Sequence, residues 1–285
     1  MVKREKPSLL RKLGRKFENI AFRGSWARGI SRALHLQQLP GLRTLSVDVG
    51  LAARGRSPIR VAFVSDLHSG RMTHPELIKE AGRILAATDC DILLIGGDYI
   101  FLSAEELGLV LEAFKPVMAR LGKYGVLGNH DRWITGGELP GKMAEAGVRM
   151  LVNEKATISG DLGRLSIYGL DDVEWGDPSF AEAGAREPEE IRILLAHSPE
   201  ALSFKECAGF DFAFFGHTHA GQVAPPVGKP VLPFKDRFSR MFPYGLYEKG
   251  EEDGLPPFYV TSGVGCVWLP FRIFARPEVV LITFV

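Results

Sequence analysis

The chain has 285 residues, 46% of them hydrophobic and 24% charged, enough to bury a full core in one large domain or one domain with an appendage. The overall charge of +1 conceals a basic start: up to residue 35, ten Lys/Arg oppose only Glu5 and Glu18, a local +8 that leaves −7 for the rest and calls for an anionic partner of the arm. Three cysteines without a Cys-x-x-Cys argue against a disulfide framework and for a reducing compartment, and no apolar run reaches the ~20 residues that span a bilayer.

Residues 1–40 read as a basic arm and 41–285 as the body. In the arm, Leu9, Leu10, Leu13, Phe17, Ile20 and Ala21 fall at helical spacing among Lys12, Arg15, Lys16 and Arg23, and Phe22 and Trp26 add aromatic bulk. Such a helix either lies in an anionic membrane interface or packs on the body with its cations solvated; nucleic acid is a distant third. The arm has no apolar signal core and no twin arginine. The expected location is therefore cytoplasmic, or peripheral on the cytoplasmic face of the inner membrane. Pro40-Gly41 closes the arm.

Strands are expected at 44–49, 59–65, 91–97, 125–128, 150–152, 165–169, 191–196, 212–215, 259–262 and 279–284. Helices are expected at 75–87, 104–121 and 136–146, where apolar residues recur at helical spacing. Strands alternate with helices in the first half and dominate the second, an α/β pattern. Parallel strands place sites beyond their carboxyl ends, and these strand exits carry ligand-type residues.

The exits supply Asp66 and His68, Asp98, Asn129 and His130, His197, and His217 and His219. In a strand, residues i and i+2 share a face, so Asp66 and His68 are expected to converge by alternation. Five of the seven histidines stand in these motifs; His35 and His74 lie outside. Seven oxygen and imidazole donors are too many for one tetrahedral zinc, and the lack of Cys ligands argues against a structural site. The mixture suits two divalent ions, Mn²⁺, Fe or Zn²⁺, sharing one carboxylate and acting on a phosphoryl group. His130, beside Asn129, is then free to protonate a leaving group.

Asp66-x-His68, Gly96-Gly97-Asp98, Gly128-Asn129-His130-Asp131, His197 and Gly216-His217-x-His219 resemble, motif for motif, the calcineurin-like metallophosphoesterases. The resemblance implies a four-layer α-β-β-α sandwich and a binuclear metal-dependent hydrolase. It assigns Asp66, His68, Asp98 and His219 to one metal, and Asp98, Asn129, His197 and His217 to the other. Asp98 bridges, and His130 is the non-ligand catalytic residue, oriented by Asp131. The block Gly216-His-Thr-His-Ala-Gly-Gln222, with Arg272, looks like the bacterial branch of membrane-associated phosphodiesterases. Some of that branch hydrolyse the lipid A precursor UDP-2,3-diacylglucosamine. Many begin with a transmembrane or export segment, and this chain departs from them in its charged arm.

Some readings stay open. Gln222 and Arg272 either contact substrate or form a loop hydrogen bond and a salt bridge. Phe234, Phe238, Met241, Phe242, Tyr244 and Tyr247, interleaved with Lys235, Arg237 and Arg240, form either a basic-aromatic lid or membrane contact, or a loop packed on the core. A general phosphatase or nuclease on the same site is the competing activity, though the acidic body offers no groove of Lys/Arg for nucleic acid. A catalytically silent scaffold is the remaining alternative, and it should have lost ligands that are all present.

Overall fold

Every side chain of Val61-Ala-Phe-Val64 is buried, yet neighbours enter different cores. Successive strand residues point to opposite faces. Val61 and Phe63 therefore join one apolar cluster, and Ala62 and Val64 another. Ile92 and Leu94 separate in the same way from Leu93 and Ile95. On the other side of the shared core, Phe212 and Phe214 separate from Ala213 and Phe215. Strands that are apolar on both faces need a covering layer on each, which builds a layered α/β sandwich.

The computed structural model describes residues 24–135, 138–159, 164–224, 236–248 and 254–285. Its first sheet has the order β1 (Gly41–Val47), β12 (Glu278–Phe284), β2 (Ile59–Val64), β3 (Ile92–Ile95), β4 (Lys123–Gly125), β5 (Val148–Met150). The second runs β10 (Gly245–Tyr247), β11 (Phe258–Val260), β9 (Phe212–Phe215), β8 (Ile191–Leu195), β7 (Leu165–Gly169), β6 (Glu154–Ile158). β2 to β5 are mutually parallel, as are β7, β8, β9 and β11, so each sheet has a group of parallel carboxyl ends. The two sheets enclose the central core, to which Phe63, Phe212, Phe214 and Phe284 contribute. Helices α2 (Pro75–Ala87) and α3 (Leu107–Phe114) cover the outer face of the first sheet. A Cβ on Gly82 of α2 would lie 2.5 Å from the Ala113 carbonyl oxygen, so glycine sets their close approach. The outer face of the second sheet is covered more lightly, by 3₁₀ turns at Pro199–Ser203 and Lys205–Gly209.

Several boundaries differ from the periodicity. The second helix ends at Phe114 rather than 121, because Pro116 has no N–H to continue the ladder. β4 and β5 start two residues earlier than expected, paired Lys123 with Val148 and Gly125 with Met150. The segment from Val126 is thereby free to turn toward the strand exits. β6 and β10 are edge strands, and apolar runs do not reveal them because β6 buries only Ala156.

Of the arm, residues 1–23 lie outside the described residues, and with them the Leu9–Ile20 spacing. From Gly24 onward the chain is packed on the body. Helix α1 (Trp26–Ala33) turns Ala27 and Ser31 inward. Gln37, wholly buried, donates to the carbonyls of Met72 and Pro270, both at 2.7 Å, and accepts from His74 N at 2.8 Å. Among the described residues no helix is long and apolar enough to cross a membrane. Of the basic-aromatic stretch, Phe234 and Lys235 lie outside the described residues. Helix α4 (Asn129–Thr135) follows β4, α5 (Leu139–Met143) precedes β5, and α6 (Arg237–Met241) precedes β10. Around α6, Phe238, Phe242 and Tyr247 pack on the outer core of the second sheet, while Met241 is exposed.

Candidate metal centre

β2 stops at Val64, so Asp66 and His68 do not converge by strand alternation. Both are left-handed instead, with φ of 56° and 40°, and Asp98, His217 and His219 share that conformation at 54°, 70° and 50°. The left-handed region is unfavourable for residues with a Cβ, by about 1–2 kcal/mol each, although Asp and His enter it more readily than most. The loops are held there by pairing carried on past the strand ends: Asp66 N donates to Gly97 O and His68 N to Asp98 O, each at 3.0 Å. Two glycines make the room. A Cβ on Gly128 would stand 2.2 Å from Asp98 Oδ1, and one on Gly216 would stand 2.4 Å from Asp66 Oδ2.

All seven donors read from the sequence come together. On one side, His68 Nε2 and His219 Nε2 lie 3.0 Å apart, with Asp66 Oδ1 3.4 Å from His219. On the other, His197 Nε2 is 3.0 Å from Asn129 Oδ1, and His217 Nδ1 is 3.2 Å from the same oxygen. Asp98 Oδ2 stands between the groups, 3.4 Å from His68 Nε2 and 3.3 Å from His197 Nε2. Among the described residues three overlapping groups have spacing suited to a metal ion: Asp66, His68 and His219; Asp66, Asp98 and His197; and His68, Asp98 and His130.

His130, the second residue of α4, stands beside this cluster, its ring edge-on to His68 at 4.7 Å and stacked on Phe101 at 5.6 Å. The hydrogen bond to its ring runs from Nδ1 to the Phe101 carbonyl at 2.9 Å. That carbonyl is set by Glu106, whose carboxylate accepts the N–H groups of Phe101, Leu102 and Ser103 at 2.9–3.2 Å. The Asp131 carboxylate accepts backbone N–H groups from Asp98 at 2.7 Å, Gly128 at 2.9 Å and Tyr99 at 3.0 Å. It thus ties the β3 exit to the β4 exit.

The electrostatics test whether this donor set suits a cation. Burial keeps His68 and His219 well below the ordinary imidazole value, leaving them neutral with lone pairs to offer. Burial and repulsion by Asp98 outweigh the attraction of His197 and push Asp66 up to about 6. Burial also opposes charge on Asp98 and His197. Their mutual attraction prevails, aided at Asp98 by His130 and His68, holding Asp98 well below and His197 well above their usual values. The cluster therefore demands positive charge between its oxygens, and a divalent cation satisfies that demand as a proton on His197 does. His197 also donates Nδ1–H to the Gly96 carbonyl at 2.8 Å, which fixes the ring and turns Nε2 toward Asp98. The residues fit a metal centre.

Gln222 makes loop hydrogen bonds, donating to Leu269 O and accepting from Val267 N, both at 2.7 Å. Arg272 is buried, donates to the carbonyls of Ser262 and Gly265 at 2.7 and 2.8 Å, and lies 3.0 Å from His219 Nδ1. Periodicity did not single out Asp171 and Asp172, although they follow the exit of β7 as the other acidic groups follow theirs. Asp171 pairs with Arg132 of α4 at 2.6 Å. Asp172 is pushed up to about 7 by burial, against the attraction of His197, and its Oδ2 has no hydrogen-bond partner among the described residues.

Residues 59–221 match the family model described as calcineurin-like phosphoesterase, which spans every strand exit above. Phosphodiesterase YaeI of Escherichia coli (strain K12) is 30% identical over 240 residues, covering 80% of this chain and 83% of that protein. The uncharacterized metallophosphoesterase Cj0846 of Campylobacter jejuni is 28% identical, covering 83% of this chain and 62% of that protein. The uncharacterized metallophosphoesterase YkuE of Bacillus subtilis is 25% identical, covering 84% of this chain and 83% of that protein.

Replacing Asp131 by Ala leaves three buried N–H groups without their acceptor. The expected loss of stability in urea unfolding is about 3 kcal/mol or more. A variant as stable as the wild type would show that the carboxylate does not hold the two exits together.

Proposed function

Because the chain belongs to the calcineurin-like phosphoesterases, and is on that ground a metal-dependent phosphoesterase, we propose that it cleaves a phosphodiester or diphosphate bond with two divalent cations. Asp66, His68, Asp98 and His219 hold one, and Asp98, Asn129, His197 and His217 the other, with Mn²⁺, Fe or Zn²⁺ suited to the mixed donors. The carrying observation is the position of Asp98 Oδ2, within 3.4 Å of imidazole nitrogens in both groups. Bound there, the cations supply charge against the phosphoryl oxygens and acidify a water.

The protein's own groups supply the rest. His130 serves as the hydrogen-bonding or proton-donating group at the leaving oxygen, because the Phe101 carbonyl engages Nδ1 and leaves Nε2 for the substrate. Asp131 acts through the backbone, keeping Asp98 and Gly128 in place around the shared carboxylate. Phe101 and Trp133 flank the His130 ring and restrict its tilt.

The substrate proposed is lipid-linked, of the kind represented by UDP-2,3-diacylglucosamine, met at the cytoplasmic face of the inner membrane. The support is the Gly216–Gln222 block, the basic arm and the phosphodiesterase named among the relatives. A metal-reconstituted assay on a phosphomonoester, a soluble diester and a nucleotide-diphospho-lipid tests this. Turnover is expected to be greatest on the lipid; preference for the monoester would point to a general phosphatase instead.

Asp98→Ala is expected to deplete metal at both positions in elemental analysis, and two metals per chain with full turnover would refute the bridge. His130→Ala is expected to keep its metal while kcat falls by about 10²–10⁴-fold. Metal loss in that variant would make His130 a ligand.

A further inference from the structure

Residues 24–42 and 262–277 are distant in sequence and contain no Asp or Glu. They are joined in the fold: Arg272 N donates to Leu36 O at 2.8 Å, and Gln37 Nε2 to Pro270 O at 2.7 Å. In the first segment Ala27 and Ser31 face the body, while Trp26, Ile30 and Leu34, spaced four apart, are more than half exposed. In the second, Trp268 and Phe274 are 63% and 69% exposed. Both also sit in the left-handed region, with φ of 64° and 57°. Bulky residues rarely adopt that conformation, and strain of this kind gathers at functional surfaces. Here it is spent on presenting two rings to solvent.

We propose that α1 and residues 268–274 form one docking face for an anionic lipid surface. Exposed Trp, Phe, Ile and Leu among basic groups, with no acidic residue in either segment, is the chemistry that enters a headgroup interface. The eight Lys/Arg of residues 1–23, opposed only by Glu5 and Glu18, lead directly into α1 and complement anionic headgroups. The face also borders the metal centre. Arg28 of α1 bonds to the Gly70 carbonyl, two residues beyond His68, and Arg272 lies against His219. Docking there brings the centre close to the membrane surface. The proposal deepens the reading of a lipid-linked substrate and rests on it for its purpose, but binding is measured without turnover.

The test is sedimentation of the full chain with phosphatidylcholine vesicles, with and without phosphatidylglycerol. The wild type is expected to sediment with the anionic vesicles. The double variant Trp268→Asn/Phe274→Asn, chosen because Asn tolerates the left-handed region, is expected to bind at least about tenfold more weakly. Its hydrolysis of a soluble diester should match the wild type, which shows that the fold is intact. A chain lacking residues 1–23 is expected to keep binding that resists salt. Equal binding by the double variant and the wild type overturns the proposal, as does failure of the wild type to bind either vesicle. A wild-type dimer that the double variant dissolves, with vesicle binding unchanged, assigns the face to a second copy and overturns it too. Loss of soluble-diester hydrolysis in the wild type would instead count against the phosphodiesterase reading and leave the docking face standing.

Discussion

Asp98 Oδ2 lies 3.4 Å from an imidazole carried by the first sheet and 3.3 Å from one carried by the second. This carboxylate is where the two halves of the sandwich meet chemically. Asp66 makes a parallel link, accepting His217 N at 3.0 Å from the β9 exit while standing 3.4 Å from His219 Nε2. Buried oxygens and imidazoles brought this close repel or demand protons unless positive charge lies among them. The apolar core between the sheets sets their separation, and that separation sets the spacing of the donors. A shift of one sheet against the other would therefore be felt first at Asp98.

The cost of this convergence is visible in the backbone. Five of the proposed ligands have positive φ. They persist because pairing continues past the strand ends and because glycines at 128 and 216 let carboxylates approach the neighbouring loop. Asp131 and Glu106 are the complementary devices: each gathers several backbone N–H groups onto one carboxylate, the first at the β3 and β4 exits and the second behind Phe101. Neither needs to touch a metal or a substrate to be required. Each positions a group of the proposed site, the Asp98 carboxylate in one case and the Phe101 carbonyl in the other.

The same buttressing extends outward to the arm. Arg28, Gln37 and the Leu36 carbonyl bind residues 70–73 and 270–272, the flanks of the loops bearing His68 and contacting His219. Residues 28–37 are thus part of the wall around the centre. An interaction of α1 with a surface would be transmitted through few bonds to the donors.

Read as sequence, the chain already pointed to a metal-dependent phosphoesterase and to much of the layout. The strand exits marked the seven candidate donors, because ligand residue types after apolar runs are a local signal. The runs at 61–64, 92–95 and 212–215 were legible as buried strands for the same reason. It also determined the family, through motifs in fixed order. How the candidate donors converge became visible in the fold. Asp66 and His68 meet through left-handed loop residues held by the Gly97 and Asp98 carbonyls, not through strand alternation, and those bonds join residues some thirty positions apart. It alone showed that Asp131 serves the backbone and that Gln222 ties loops together. It alone set Trp268 and Phe274 outward, in a segment bonded to Leu36 and Gln37. Periodicity reports what a segment tends to bury; which atom lies opposite which depends on the register of sheets, and no single segment encodes that.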